Sequence, residues 1–142
     1  MSVTLRLAKA TDRSSCVELL KLLVGAEHEV FDTKTFEALI GNQRGSVILA
    51  EEVTNILGMA AISFNLALRY NGEYCQLEEL VVDPSARGKN VGGLLVEESL
   101  RLARARGCKE FGLYLLESTK HNESFYAKYG FNIVGAEMRQ SL

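Results

Sequence analysis

One stretch of the sequence, residues 78–93, limits the folds open to this chain more than any other. It reads EELVVDPSARGKNVGG: the apolar run Leu80-Val81-Val82 stops at Asp83-Pro84, and a basic glycine turn leads into a helical pattern that begins at Asn90. N–H groups at a helix start have no intrahelical partner, and the helix dipole adds positive partial charge there. The order of strand, tight turn and helix start therefore predicts a cradle for an anionic phosphate at the end of a strand.

The residues of the turn suit a small anion. Gly88, Gly92 and Gly93 carry no side chains that would keep a ligand away from the backbone. Arg87 and Lys89 supply positive charge locally, whereas the whole chain has a formal net charge of −2. The charge pattern therefore favours a small phosphorylated ligand and gives no reason to expect binding to nucleic acid or to a membrane.

Length and composition indicate one α/β domain spanning residues 1–142. The chain is 47% hydrophobic with one proline, which argues against disorder. Its three cysteines are widely spaced and its two histidines are not placed beside them like zinc ligands, so no metal is expected. The N-terminus lacks the apolar core of a signal peptide, and no apolar run approaches membrane-spanning length. We therefore expect a soluble, cytoplasmic protein.

The apolar patterns predict a central mixed β-sheet flanked by helices, in the order β-α-α-β-β-β-α-β-α-β. Asn71-Gly72 is typical of a hairpin turn and predicts antiparallel pairing of the strands on either side. A strand-helix-strand crossover is expected over residues 74–116. The predicted strands cover residues 3–7, 46–51, 56–70, 74–82, 111–116 and 131–139, and the later helices cover residues 90–106 and 121–128.

Three of these elements together resemble the GNAT superfamily of acetyl-CoA-dependent N-acetyltransferases. They are the strand over residues 80–84, the segment Arg87-Gly88-Lys89-Asn90-Val91-Gly92, and residues 122–131, NESFYAKYGF. The second resembles the family's phosphate loop, (Arg/Gln)-x-x-Gly-x-(Gly/Ala), and the third contains its Phe-Tyr-x-x-x-Gly-Phe pattern. The likeness is tight over residues 74–135 and follows the order of elements elsewhere.

One position departs from the family pattern, because Asn90 stands where the phosphate loop has its middle glycine. Asparagine tolerates unusual backbone angles and favours helix N-caps, so we expect the turn to be preserved. The alternative is a degenerate loop that binds the coenzyme poorly.

The resemblance implies acetyl-CoA as the co-substrate. The N–H groups of the turn would contact the coenzyme pyrophosphate, the backbone of residues 80–82 would pair with the pantetheine arm like a strand, and Asn122 would contact that arm or cap the last helix. The implied cofactor-binding residues are Leu80, Val81, Val82, Arg87, Gly88, Lys89, Asn90, Val91, Gly92, Gly93, Asn122 and Tyr126.

The resemblance also assigns Tyr126 as the general acid that protonates the departing thiolate. A phenol with a pKa of about 10 stays protonated at neutral pH and can still donate a proton. The structural alternative for Tyr126 is a half-buried core aromatic. Tyr129, three residues further along, is interpreted as a packing or lining residue.

An acidic residue often binds the amine and removes its proton in this family, and Glu78 and Glu79 stand at that place. Strand alternation sends the two side chains to opposite faces of the sheet unless a bulge intervenes. Glu78 is favoured for this role because strand alternation puts its side chain on the same face as those of Leu80 and Val82. In the alternative, both carboxylates are solvated charges at the strand edge.

Three further side chains are of types that can take part in catalysis. His28 and His121 are interpreted as surface or loop residues, although His121 could also act as a base or substrate contact. Cys75 is interpreted as a small buried thiol, because no cationic or histidine partner can be named for an acyl-cysteine route.

The predicted reaction is direct acetyl transfer to a small-molecule primary amine in a ternary complex. Local likeness to aminoalkylphosphonate and glucosamine-6-phosphate N-acetyltransferases implies an amine that carries a phosphonate or phosphate. Lys34, Arg44 and Arg69, within residues 24–45 and 64–73, are candidate anion contacts or solvated charges.

Two other functions stay open, a protein lysine or N-terminal acetyltransferase and a non-catalytic acyl-CoA-binding module. Family members often form homodimers, and the last predicted strand, Ile133 to Arg139, is a candidate for the contact.

Overall fold

The computed structural model describes residues 2–25 and 30–142, so His28 lies outside the described residues. Five strands and four α-helices follow one another in the order β-α-α-β-β-β-α-β-α. They are β1 (Thr4–Leu7), α1 (Arg13–Val24), α2 (Thr33–Ile40), β2 (Gly45–Glu52), β3 (Asn55–Ala67), β4 (Gly72–Val82), α3 (Val91–Arg106), β5 (Phe111–Leu113) and α4 (Glu123–Ala127).

The strands form one sheet in the order β1-β2-β3-β4-β5. The first four strands pair antiparallel, and β5 joins β4 in parallel after the α3 crossover. The expected hairpin between β3 and β4 is present: Asn71 adopts the left-handed conformation that lets the chain reverse, with φ 50°. The mixed α/β sheet predicted from the sequence is therefore confirmed.

Alternating residues of the central strands fill two separate cores, one on each face of the sheet. On β2, Ile48 and Ala50 pack with the α3 residues Val91 and Leu95, and we call this face the α3 face. On the opposite face, the intervening β2 residues Val47 and Leu49 pack with side chains of α1 and α2. Those side chains include Cys16 and Leu19 of α1 and Phe36 of α2, and we call this side of the sheet the α1/α2 face. The sheet is thus buried on both sides, which explains why its central strands are nearly continuous apolar runs.

A β-bulge interrupts the pairing of β3 with β4. Ala61 lies opposite Glu79 and Ile62 lies opposite Leu77, so Glu78 is an extra residue on β4. A bulge bends the strand and changes which side chains share a face. This irregularity determines the geometry of the candidate site.

The last predicted strand, Phe131 to Arg139, is wrong. Residues 131–142 form no strand, and beyond Phe131 their side chains are exposed. Ile133 and Val134, 63% and 98% exposed, are adjacent, so the apolar residues fall on both faces of an extended chain and give it no single face to bury. The strand predicted over residues 111–116 is also shorter than expected, since β5 ends at Leu113.

Candidate active site

The two parallel strands at the sheet edge separate halfway along β4. β5 pairs with Cys75, Gln76 and Leu77 only, whereas β4 continues to Val82. Within the described parts of the chain, no strand pairs with that edge of β4 beyond Leu77. The backbone N–H and C=O groups along this edge are therefore available to an extended ligand, as at any unpaired sheet edge.

A tight loop connects the open end of β4 to α3. Asp83 begins it: its side chain accepts a hydrogen bond from the Ser85 N–H at 2.8 Å, and its carbonyl accepts one from the Ala86 N–H at 2.9 Å. Gly88 then takes a positive φ of 84°, with open space where a β-carbon would lie. The loop thus turns the chain sharply while leaving its outer surface accessible.

Asn90 completes the turn in the left-handed conformation, with φ 55° and ψ 33°. Glycine adopts this conformation without cost, and asparagine is among the few other residues that visit it routinely. Asn90 therefore takes up a backbone angle that explains both the family preference for glycine and its replacement here. Its carbonyl accepts the first hydrogen bond of α3, from the Leu94 N–H at 3.1 Å.

The start of α3 presents backbone N–H groups beside very small residues. Because the helical ladder begins at the Leu94 N–H, the N–H groups of Val91, Gly92 and Gly93 precede it. A β-carbon on Gly92 would contact the Phe125 ring at 3.4 Å. These donors stand next to the open edge of β4. The cradle predicted from the sequence therefore suits an extended ligand that hydrogen-bonds to the strand edge and ends in phosphates.

The bulge brings the two glutamates to the same face of the sheet. Glu79 lies opposite Ala61, a core residue of the α1/α2 face. Glu78 accepts a hydrogen bond from Ser63, which is two residues from Ala61 on β3 and so shares its face. The bulge that the sequence left open as an exception to strand alternation is therefore present, and the two carboxylates share a face. The expectation that Glu78 shares the face of Leu80 and Val82 is wrong.

The two carboxylates differ in their surroundings. Glu79 is half-buried, and burial, together with the nearby charge of Glu78, raises the pKa of its carboxyl above the usual value. Glu78 is exposed, and its Oε2 accepts a hydrogen bond from the Ser63 Oγ at 2.6 Å. A carboxylate with a raised pKa is the better proton acceptor, whereas a hydrogen-bonded, exposed carboxylate is suited to holding a cation.

Tyr126 is half-buried among aromatic rings at the α3 face. Its ring packs edge-on against Phe125 and Phe131, with centroids 5.0 Å and 6.0 Å away, and it contacts the core of the α3 face. Burial raises the pKa of the Tyr126 hydroxyl. The phenol is therefore held protonated at neutral pH, which is the state a proton donor requires.

Comparisons with known proteins agree with this geometry. A sequence model of the acetyltransferase (GNAT) family matches residues 16–131. The chain belongs to the GNAT acetyltransferase family. It is therefore an acetyl-CoA-dependent N-acetyltransferase, as its resemblance to the family implied.

One curated relative and two solved structures are distant in sequence but align with nearly the whole chain. A glucosamine 6-phosphate N-acetyltransferase of Trypanosoma brucei brucei is 26% identical over 150 residues, which cover 100% of this chain and 97% of that protein. Two solved structures share the fold, each covering 99% of both chains. One is a transcriptional regulator from Bacillus halodurans C-125, with a TM-score of 0.87 and 23% identity. The other is a glucosamine-6-phosphate N-acetyltransferase from Arabidopsis thaliana, with a TM-score of 0.84 and 24% identity.

Several residues predicted for the coenzyme site of this GNAT protein have other contacts. Lys89 forms an ion pair with Glu52 at 2.8 Å, whereas Arg87 is exposed. Val81 points its side chain into the core of the α1/α2 face, so only its backbone faces the open edge. Asn122 occupies the N-cap position of α4, but its side chain makes no capping hydrogen bond.

Other candidate residues of the sequence have structural roles or lie at the surface. Cys75 is fully buried, so the interpretation as a small buried thiol is confirmed, and burial raises the pKa of its thiol to about 12. The Arg69 guanidinium stacks over Tyr70 at 4.6 Å. Lys34, Arg44 and His121 are exposed.

The structure adds two groups of residues to the surroundings of Glu78. Ser63 and Asn65 are polar residues at alternate positions of a strand that is otherwise mostly apolar, a signal that the sequence contains. The second addition is Arg139, whose pKa is raised chiefly by its hydrogen bond to Glu137 and, to a smaller extent, by the negative charge of Glu78. Nothing in the sequence indicated that Arg139 belongs to these surroundings, because residues 131–139 were predicted to be a strand.

No helix among residues 2–25 and 30–142 is both long and apolar enough to cross a lipid bilayer. In the same described residues, no group of three or more His, Cys, Asp or Glu side chains is placed to hold a metal ion.

Proposed function

We propose that this GNAT protein transfers acetyl from acetyl-CoA directly to a small-molecule primary amine, with both substrates bound at once. The observation that carries the proposal is the pair of carboxylates, Glu78 and Glu79, on one face of the sheet at the point where β4 leaves β5. An incoming amine is protonated at neutral pH and must be held and deprotonated before it can act as a nucleophile. Two adjacent carboxylates with different surroundings provide both functions.

The coenzyme would lie between the open edge of β4 and the start of α3. The backbone of Leu80, Val81 and Val82 would hydrogen-bond to the pantetheine arm. The backbone of the loop and of the first turn of α3 would bind the pyrophosphate through Arg87, Gly88, Lys89, Asn90, Val91, Gly92 and Gly93. Support comes from the unpaired strand edge and from the donors that precede the α3 ladder. Asn122 stands at the start of α4 and would contact the arm there.

Bound acetyl-CoA supplies an acetyl thioester, whose carbonyl carbon bonds to the amine nitrogen while its C–S bond breaks. Glu79 accepts the proton that the ammonium loses, directly or through water, because its raised pKa makes it the stronger base. Glu78 holds the ammonium through its exposed carboxylate. Tyr126 donates its phenolic proton to the departing thiolate. The second proton that the nitrogen loses as the amide forms passes, through water, to the phenolate, so Tyr126 is restored and the one proton released overall remains on Glu79.

The acceptor we propose is a compact amine that carries a phosphate or phosphonate, and glucosamine 6-phosphate is the first to test. Support comes from the Trypanosoma brucei brucei relative, whose name gives that substrate and which this chain matches over its whole length. The Arg139 guanidinium, which lies 4.7 Å from the centroid of the Tyr114 ring, is a cation whose field reaches Glu78.

The experiment is an assay of thiol release from acetyl-CoA with glucosamine 6-phosphate, an aminoalkylphosphonate, glucosamine and a lysine-containing peptide. We expect release to depend on the acceptor and to be fastest with an amine that carries phosphate or phosphonate. Faster release with the peptide would favour a protein acetyltransferase. Tight acetyl-CoA binding without acceptor-dependent release would favour a binding module.

We also propose that the protein forms a homodimer through residues 131–142 and that it acts in the cytoplasm. The support for the dimer is the exposure of large apolar side chains along this segment, since Val134 and Met138 are 98% and 97% exposed. Light scattering should give the mass of two chains, and Val134→Asp should shift the protein toward the mass of one.

A further inference from the structure

Ser63 and Asn65 form a short hydrogen-bond chain that ends on Glu78. The Asn65 Nδ2 donates to the Ser63 Oγ at 3.0 Å, and the Ser63 Oγ donates to the Glu78 Oε2 at 2.6 Å. Because Asn65 donates to the serine oxygen, the serine proton is directed away from Asn65 and toward the carboxylate. The two hydrogen bonds therefore run in one direction, from the Asn65 amide to the Ser63 hydroxyl and from that hydroxyl to the Glu78 carboxylate.

The strand register allows this contact. Ser63 lies opposite Gln76, two residues before Glu78 and on the same side of the sheet. Diagonal neighbours of this kind are about 7–8 Å apart, a distance that a long side chain such as that of Glu78 can span. The extra residue on β4 then places Glu79 on the same face as this contact.

The hydrogen bonds that link Asn65, Ser63 and Glu78 contribute little to the stability of the fold. Glu78 is exposed, and Ser63 and Asn65 are half-buried beyond the apolar core of the α1/α2 face. A hydrogen bond that water can replace contributes little net stability, whereas it still fixes the direction of a carboxylate that otherwise rotates freely. Fixing the Glu78 carboxylate matters most if that group binds a ligand.

We infer that Ser63 and Asn65 are positioning residues that orient the Glu78 carboxylate toward the ammonium group of the acceptor. Ser63 occupies Oε2, so Oε1 is left to accept a hydrogen bond from the amine. The charge of Glu78 is felt by Glu79 on its own strand and by Arg139 of the C-terminal segment. The inference rests on the proposed acetyl transfer, but it concerns acceptor binding and not the coenzyme.

The test is a set of steady-state measurements on Ser63→Ala, Asn65→Ala and Ser63→Thr, with the best amine from the acceptor panel. We expect Ser63→Ala to raise the KM for the amine about 5- to 10-fold while the KM for acetyl-CoA stays the same. Asn65→Ala should have a smaller effect in the same direction. Ser63→Thr keeps the hydroxyl and should restore most of the lost affinity, which a purely structural role would not predict.

A double-mutant cycle shows whether Ser63 acts through Glu78. In a Glu78→Ala background, Ser63→Ala should change kcat/KM for the amine by less than twofold, because no carboxylate remains to be positioned. Thr4→Val is the matched control, since it removes a strand hydroxyl that donates to the Glu51 carbonyl at the opposite edge of the sheet. Its kinetic constants should equal those of the wild type.

Three results would overturn the inference, and they are distinguishable. If the wild type turns over an amine and Ser63→Ala has the same KM for it, only the positioning role fails. If the wild type acetylates no amine at all, the proposed function fails and the positioning role fails with it. Equal effects of Ser63→Ala with and without Glu78 would also contradict the inference.

Discussion

The phenol oxygen of Tyr129 fills the space where a β-carbon of residue 93 would lie: a β-carbon built on Gly93 would stand 2.1 Å from it and 2.4 Å from the Asn90 Oδ1. Tyr129 follows the Phe125-Tyr126 pair in the α4 region, and Gly93 lies in the first turn of α3. The contact therefore joins the two motifs that carry the family likeness, and it requires glycine at position 93.

Gly93→Ala should disturb the start of α3. Tyr129 and Asn90 would both have to move, at a cost of about 1–3 kcal/mol for overpacking. We expect a lower midpoint of thermal unfolding and weaker acetyl-CoA binding in calorimetry. Gly135→Ala is the matched control, because a β-carbon there meets nothing within 4 Å. Partial recovery in Gly93→Ala/Tyr129→Phe would identify the hydroxyl as the obstacle, and an unchanged single variant would refute the contact.

Asn90 should tolerate glycine but not a β-branched residue. Asn90→Gly restores the residue of the family pattern in a left-handed conformation, and we expect acetyl-CoA affinity within about twofold of the wild type. Asn90→Val should lose about 1–2 kcal/mol of the free energy of unfolding, because valine is strained at a φ of 55°. Denaturant unfolding measures the difference, and equal stability of the two variants would be inconsistent with the left-handed turn.

Tyr126→Phe should reduce kcat about 100-fold while the Kd for acetyl-CoA stays the same, because only the proton donor is removed. Burial raises the pKa of the wild-type hydroxyl, so Tyr126 stays protonated across neutral pH and the basic limb of the pH–rate profile should follow that pKa. Tyr129→Phe is the natural comparison within the same motif. A larger loss of kcat in Tyr129→Phe than in Tyr126→Phe would reassign the acid.

Glu79→Gln should remove the acidic limb of the pH–rate profile. Glu79 accepts a proton only when ionised, so the wild-type kcat/KM should fall as the pH decreases through its raised pKa. A profile that keeps the same acidic limb in Glu79→Gln would exclude Glu79 as the base.

The same substitution should raise the midpoint of thermal unfolding at neutral pH. Burial raises the folded-state pKa of Glu79, so the folded state holds its proton to higher pH than the unfolded chain does, and the wild type loses stability as the pH rises through that interval. Below the unfolded pKa of about 4.3 both states are protonated, and the advantage of glutamine should disappear. Thermal scans at both pH values check the sign.

The parts of the fold with strong local signals were predictable from the sequence. The cradle, α3 and its end at Gly107 each follow from residues near one another in the chain, since Gly107 adopts the left-handed conformation expected of a helix stop. The pairing of β3 with β4 followed from the Asn71-Gly72 signal. These features depend on the backbone preferences of a few neighbouring residues, so a short stretch of sequence is enough to predict them.

The features that were missed depend on residues far apart in the chain. The bulge at Glu78 is a mismatch of register between β3 and β4, and neither strand alone contains it. It reversed the expected separation of the two glutamates and placed Glu79 on the face where Glu78 contacts Ser63. The last strand was predicted from apolar residues alone, but a strand also needs a partner edge and one face to bury, which residues 131–139 do not have.

The measurement that tests the proposed reaction most directly is product analysis by mass spectrometry, with isotopically labelled acetyl-CoA and glucosamine 6-phosphate. We expect the label to appear as one acetyl group on the amine, in amounts equal to the thiol released, and to disappear in a Glu79→Gln/Tyr126→Phe double variant. Label found on no small amine, or only on a peptide, would contradict transfer to a small-molecule primary amine.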